Sequence, residues 1–294
     1  MASIAKFIMD EANALALADA FDNEDQLSFL PVSLAEIDSK QWQVVVYLSE
    51  NGQKAETTAL RRVASALFGK SAPKCSVEAL PDTDWVAKSL EGLPPVHAGR
   101  FLVHGGHERR ARRPNTIGIE IEAGQAFGTG HHGTTAGCLL AIDRLTQSRP
   151  IVNALDIGTG SGVLAIAIAK AAKTRVLASD IDPVATAVAR ENIHANGVAA
   201  YVRAVTAANL DKHVFRASAP YDLIVANILA GPLIALAPAI CRNLAPGGSL
   251  ILSGLLPSQR ARIVASYRGQ GLALERSSVL NDWLTLVFTR PTGQ

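Results

Sequence analysis

A chain of 294 residues, 48% hydrophobic and 18% charged, is long enough for two domains around sizeable cores. Its net charge of +2 is too small to make nucleic acid or an anionic membrane an obligatory partner. Cys75, Cys138 and Cys241 stand far apart without CxxC spacing, against a disulfide framework or a zinc site. Met1 to Asp10 lack a basic stretch followed by an apolar one, and no run of 18 apolar residues occurs. A cytoplasmic chain, neither exported nor membrane-spanning, is the expectation.

The first part of the chain alternates strand and helix patterns. Ser3 to Met9 reads as a strand, Glu11 to Phe21 as an alanine-rich helix, and Leu27 to Ile37 with Trp42 to Leu48 as a strand pair. Glu56 to Phe68 then predicts a second helix and Ser76 to Leu80 a last strand. The order is βαββαβ, the split, ferredoxin-like α+β arrangement, with the Pro31-bearing strand best placed at an edge. No catalytic constellation appears in it, which leaves a stabilising appendage and a substrate-docking module as equal readings.

Residues 82–116 read as a connector between this domain, 1–81, and a second one, 117–294. Pro94-Pro95, Gly99, Gly105-Gly106 and Arg109-Arg110-Ala111-Arg112-Arg113 supply proline, glycine and like charge. Four arginines suit RNA phosphates, but with no aromatic residue interleaved to stack on bases a solvated loop is favoured. His104 and His107 flank the loop, and no further metal ligand can be placed beside them.

From Ile117 onward strands alternate with helices. A helical pattern runs from Ala136 to Arg144, with Thr134 or Thr135 available to cap it. Leu155 to Ile157 opens a strand that runs into Gly158-Thr159-Gly160-Ser161-Gly162 and then the apolar helix pattern Val163 to Ala172. Val176 to Ser179 follows, then a helix from Pro183 to Asn196, a strand at Tyr221 to Ala226, and a helix from Gly231 to Leu244. Leu250 to Ser253, a helix near Pro257 to Gln270, and the strands Leu272 to Ser278 and Trp283 to Thr289 about the Leu280-Asn281-Asp282 turn complete the chain. A parallel sheet finished by an antiparallel hairpin is expected.

The glycine loop carries the chemistry. Gly158, Gly160 and Gly162 allow sharp turns and close approach of a ligand to the backbone. Asp180 lies 22 positions after Gly158, close to the roughly 20-residue offset at which an acid meets a ribose diol. The pattern is GxGxG, with Val163 where the third glycine of the dinucleotide GxGxxG would fall, which weakens a pyrophosphate reading. Such a loop and acid resemble the S-adenosylmethionine site of class I methyltransferases, and the Rossmann-like sheet agrees.

Asn227-Ile228-Leu229-Ala230 stands where amino-group methyltransferases carry Asn/Asp-Pro-Pro-aromatic. Without the aromatic residue a planar base loses its stacking partner, so an aliphatic amine is the better substrate, against the alternative that Asn227 merely caps the next helix. The stretch Gly124 to Thr135 has four glycines in twelve residues, more than a cap requires. It suits a loop folded over the cofactor, with Phe127 against the adenosyl or methionine part and a threonine hydroxyl on the carboxylate. Adjacent His131 and His132 rarely point at one ion, so no metal is expected.

These segments, with Asp180-Ile181-Asp182-Pro183 and Asn227 through Leu233, resemble the PrmA family, which methylates large-subunit ribosomal protein L11. The resemblance spans about Trp85 to Phe288. It implies cofactor binding by Thr135, Gly158, Asp180 and Asn227, an amine channel lined by Thr129 and His131, a ferredoxin-like N-terminal domain that grips the substrate, and a flexible connector. It implies methyl transfer to lysine side chains and the N-terminal amine of the ribosomal protein by a monomer. Methylation of RNA or of a glutamine side chain, and a non-catalytic adenosyl-cofactor-binding assembly factor, are the alternatives. Two departures are His131-His132-Gly133, where many members have Thr-His-Pro, and Thr159, where cysteine is common.

Overall fold

The computed structural model describes residues 3–292 except 23, 25, 28–29, 31, 39–40, 50–52, 80–95, 106–114, 122–132, 209 and 211–212. The chain divides into two compact units, the first carried by 1–83 and the second by 84–228 and 233–294.

In the first unit the elements are β1 (Ser3–Met9), α1 (Glu11–Asp22), β2 (Val32–Asp38), β3 (Gln41–Leu48), α2 (Gln53–Phe68) and β4 (Ser76–Ala79). The sheet order is β2-β3-β1-β4 with every pair antiparallel, the connectivity of a split βαβ unit. Strand alternation turns Ala5, Phe7, Val44 and Val46 inward, where they meet Leu17 and Phe21 of α1 and Leu60 of α2. The rings of Phe7 and Phe21 lie 5.5 Å apart and tilted. Helix α2 starts three residues before the expected Glu56, and Glu56 accepts the Ser49 backbone N–H at 2.9 Å together with the Ser49 hydroxyl, tying its first turn to the end of β3. Strand β2 is shorter than expected and begins just after Pro31, a residue with no N–H to give a ladder.

The second unit opens with a small sheet, β5 (Val96–Ala98), β6 (Phe101–His104) and β7 (Ile117–Glu120), antiparallel between β5 and β6 and parallel between β6 and β7. Strands β5 and β6 therefore fall inside the stretch read as connector. The apolar run Phe101-Leu102-Val103 is almost fully buried and draws this segment onto the body of the unit. Asn196 anchors the sheet, accepting the Glu120 N–H at 2.9 Å and donating to the Glu120 carbonyl at 2.6 Å. His104 is buried, with Nδ1 2.9 Å from the Gly105 carbonyl.

The main body comprises α3 (Gly133–Ser148), β8 (Asn153–Ile157), α4 (Val163–Ala172), β9 (Arg175–Asp180), α5 (Pro183–Ala195), β10 (Val202–Thr206), α6 (His213–Ser218), β11 (Tyr221–Asn227), α7 (Ala230–Asn243), β12 (Leu244–Leu255), α8 (Arg260–Gly269), β13 (Ala273–Leu280) and β14 (Trp283–Thr289). Its seven strands run β10-β9-β8-β11-β12-β14-β13, with the first five parallel and β14 antiparallel to both of its neighbours, β12 and β13. This is the Rossmann-like sheet with a closing hairpin that the sequence predicts. Helix α4 is buried along Val163 to Ala169, as an all-apolar helix must be, and packs under α3 in a core that includes Leu139, Ile142, Val176, Leu223 and Val225. Order reverses between β8 and β11, so the loops after these strands flank the switch point where ligands of open α/β sheets sit. No helix among the described residues is long and apolar enough to cross a membrane.

Candidate functional site

The loop after β8 holds Gly158, Gly160 and Gly162 at φ of 67°, 52° and 85°, all left-handed. Thr159 N–H donates to the Ser179 carbonyl at 2.9 Å, and Gly162 N–H to the Thr159 carbonyl at 2.8 Å, which fixes the turn against the end of β9. A Cβ at Gly158 would stand 2.2 Å from Cγ2 of Ile228. The loop and the Asn227 segment thus touch directly, and only glycine fits between them.

Asp180 ends β9 and closes on this loop. Its Oδ2 accepts the Gly160 N–H at 2.9 Å and its Oδ1 accepts the Asp182 N–H at 3.0 Å. A carboxylate has about four acceptor positions, so each oxygen keeps capacity for a ribose hydroxyl. Asp182 caps α5 by accepting the Val184 N–H at 2.8 Å, with Pro183 in the first turn as expected.

Asp156, which the motif reading passed over, lies directly beneath the loop. It is 1% exposed, and Oδ2 accepts the Thr159 hydroxyl at 2.6 Å and the Ala165 N–H at 3.1 Å. Burial pushes its carboxyl up to about 7, and the nearby charge of Asp180 adds to the rise, against the two donors. Thr159, placed where cysteine is common in the resembling family, thereby gains a hydrogen bond to Asp156. The signal available in the sequence was a lone acid two positions before the first of three glycines.

Asn227 ends β11 opposite Ser253 of β12. Its Nδ2 donates to Thr134 Oγ1 at 3.4 Å, a long contact that leaves the amide oxygen for another donor. Ile228 is held from two sides. Its side chain faces Gly158, and its carbonyl lies 2.6 Å from where a Cβ of Gly254 would be, with Gly254 at φ 80°. Gly254 was not singled out by motif, since nothing in the letters Ser253-Gly254 announces a neighbour that distant in sequence.

Helix α3 begins at Gly133, so neither Thr134 nor Thr135 is its cap. Both lie in the first turn and are buried, Thr135 to 1% exposure with its hydroxyl lacking a partner among the described residues. Gly133 and Gly137 share one face of the helix and let it approach the closing hairpin. A Cβ at Gly133 would come 2.4 Å from the Leu280 carbonyl, and one at Gly137 2.2 Å from Thr285 Oγ1. Gly133 therefore stands where a proline ring would collide. The hairpin turn itself sets Asn281 and Asp282 at φ 46° and 64°, the left-handed pair of a type I′ turn. Phe127, Thr129 and His131 lie outside the described residues, as does the Arg109 to Arg113 run.

Gly158, Asp180, Asn227 and Thr135 thus lie on elements that converge at the carboxyl end of β8, β9 and β11. Three left-handed glycines at the carboxyl end of β8 and a buried Thr135 hydroxyl with no partner among the described residues fit a ligand with a backbone-like, hydrogen-bonding part. The family model for ribosomal protein L11 methyltransferase (PrmA) matches residues 3–291. The chain belongs to this family. The L11 methyltransferases are S-adenosylmethionine-dependent enzymes, and the cofactor of this member is S-adenosylmethionine. It is 51% identical over 280 residues to the ribosomal protein L11 methyltransferase of Rhizobium etli, covering 94% of this chain and 93% of that one. Against the protein of that name from Brucella suis it is 46% identical over 282 residues, covering 95% and 96%. The crystal structure of ribosomal protein L11 methylase from Lactobacillus delbrueckii subsp. bulgaricus aligns at a TM-score of 0.61 and 29% identity, over 67% of this chain and 98% of that one.

Proposed function

We propose that this L11 methyltransferase family member moves methyl groups from S-adenosylmethionine to amino groups of ribosomal protein L11, on lysine side chains and the N-terminal amine. The observation that carries the reading is the contact of the glycine loop with the Asn227 segment through Gly158 and Ile228. It sets a cofactor cradle and an amine-orienting amide on the same switch point. When bound, S-adenosylmethionine supplies a methyl group on a sulfonium, an electrophile that needs no metal activation.

The chain's own residues then have three tasks. Gly158, Gly160 and Gly162 cradle the methionine part, with the Thr135 hydroxyl on its carboxylate and Asp180 on the ribose diol. Asn227 accepts an N–H of the target amine through its amide oxygen and so aims the lone pair. The third task is deprotonation, because a lysine ammonium has an unperturbed pKa of ~10.4 and is not nucleophilic. A water-poor pocket disfavours the charged form and lowers that value, so the proton leaves to solvent before attack without a dedicated base.

The 1–81 domain docks the substrate for the methyltransferase domain that follows it. On the sheet side away from α1 and α2, Ile8 is 52% and Tyr47 38% exposed, apolar side chains of the kind a docked protein covers. The enzyme acts as a cytoplasmic monomer, and nucleic acid is not required for transfer. The test is Asn227→Ala assayed with free ribosomal protein L11. Turnover falls about hundredfold while S-adenosylhomocysteine still binds, as expected when an orienting contact is lost. Full turnover with unchanged cofactor affinity would overturn the assignment.

A further inference from the structure

At the opposite end of the same sheet, the amino ends of β8, β9 and β10 open into a groove of about 1030 Å³. None of its lining residues is acidic, and Lys173, Arg175 and Arg203 are all exposed on it. Among the described residues none of these three cations has a side-chain ion pair. Asp222 lies behind the groove, but its Oδ2 is occupied by the N–H groups of Val152 and Asn153 at 2.9 and 3.0 Å. The wall also presents two exposed apolar groups, Tyr201 at 40% and Val152 at 72%.

The register explains how they come together. Strand β10 is the edge of the sheet, with Val202 opposite Val176 and Arg203 opposite Leu177, and the Val176 N–H donates to the Tyr201 carbonyl at 2.9 Å. Arg175 and Tyr201 are therefore neighbours across the edge pair, and Arg203 follows Tyr201 on the same face, about 6.6 Å further along the strand. Two cations thus flank one aromatic ring, one across the strand pair and one along the strand, on an open groove remote from the cofactor loop.

We propose that this groove binds the phosphate backbone of single-stranded RNA, with Tyr201 stacking on an unpaired base. Cations without an ion pair among the described residues, set on two sides of an exposed ring, match what such strands offer, phosphates at regular spacing and π-faces on every base. An acidic peptide offers charge without the planar partner that Tyr201 suits. The inference stands on the groove alone and does not rest on methyl transfer, so RNA binding is measured without cofactor or protein substrate.

The experiment is fluorescence anisotropy of the full chain with a fluorescein-labelled single-stranded RNA of mixed sequence, across a salt series. Three phosphate contacts predict about twentyfold weaker binding for a fourfold rise in salt, falling to about threefold for Arg175→Ala/Arg203→Ala. Arg175→Lys/Arg203→Lys keeps the full salt slope. Tyr201→Ala weakens binding about tenfold with the slope unchanged. Circular dichroism and S-adenosylhomocysteine binding of each variant report whether the fold survives. The proposal is overturned if RNA does not bind at low salt, if the alanine pair binds as the wild type does, which would move the contact elsewhere on the chain, or if poly-glutamate binds as tightly as RNA, which would make the groove a docking site for acidic protein.

Discussion

Replacing Gly158 with alanine separates the cradle from a merely structural turn. An alanine at φ 67° pays about 1–2 kcal/mol for the left-handed conformation. Its Cβ would also sit 2.2 Å from Ile228 Cγ2, and the Ile228 backbone has little room to retreat because its carbonyl already fills the space beside Gly254. The remaining relief is a shift of the isoleucine off its preferred rotamer, at about 0.5–1.5 kcal/mol. Together these cost about 1.5–3.5 kcal/mol, or roughly 10- to 400-fold in the population of the binding-competent loop. Isothermal titration with S-adenosylhomocysteine reads this directly as lost affinity. In Gly158→Ala/Ile228→Ala the clash is gone and only the backbone cost stays, so about two- to tenfold of affinity returns. Gly197→Ala is the control, since its φ of 69° carries the same backbone cost with nothing within 4 Å of the new methyl. It should lower the melting temperature and leave affinity alone. If Gly158→Ala binds the ligand within about twofold of wild type, the cradle lies elsewhere.

Two further substitutions have signed outcomes. Thr135→Val removes a buried hydroxyl that has no partner among the described residues, so the variant melts no lower than wild type, yet binds S-adenosylhomocysteine about tenfold more weakly; loss of stability with intact binding would make Thr135 structural. Asp156 is raised from 3.8 to about 7 in the folded chain, so the native state binds its proton more tightly than the unfolded one. The stability it contributes is full below about pH 4 and declines as pH rises to about 7. Asp156→Asn flattens that part of the pH profile of the urea midpoint, and equal slopes for the two proteins would contradict the shift.

What the sequence disclosed follows from how local each signal is. Three glycines within five residues define their own backbone geometry, and all three adopt positive φ as the motif demands. The Asn281-Asp282 turn and the alternating strands are equally local, which is why the sheet with its closing hairpin was legible in outline. Strands β5 and β6 were not, because runs of three and four residues between prolines and glycines carry no periodicity until they pair with each other and with β7. Strand β12 begins at Leu244, through Pro246-Gly247-Gly248, where the letters read only as a helix stop and turn. Its early start depends on partners elsewhere, since the Gly247 N–H donates to the Arg290 carbonyl and the Arg290 N–H to the Gly248 carbonyl. In the site, Gly158 and Asp180 could be read from spacing, but the wedge of Ile228 between Gly158 and Gly254 could not. Nor could the close seating of α3 on the hairpin through Gly133 and Gly137, because both depend on pairs of residues far apart in the chain.

The measurement that bears most directly on the central claim is incubation of the enzyme with methyl-labelled S-adenosylmethionine and a mixture of ribosomal proteins and ribosomal RNA, followed by mass spectrometry of every labelled species. The account predicts label on ribosomal protein L11, at lysine side chains and the N-terminal amine, and its loss with Asn227→Ala. Label confined to RNA, or none at all from an enzyme that still binds S-adenosylhomocysteine, would contradict it.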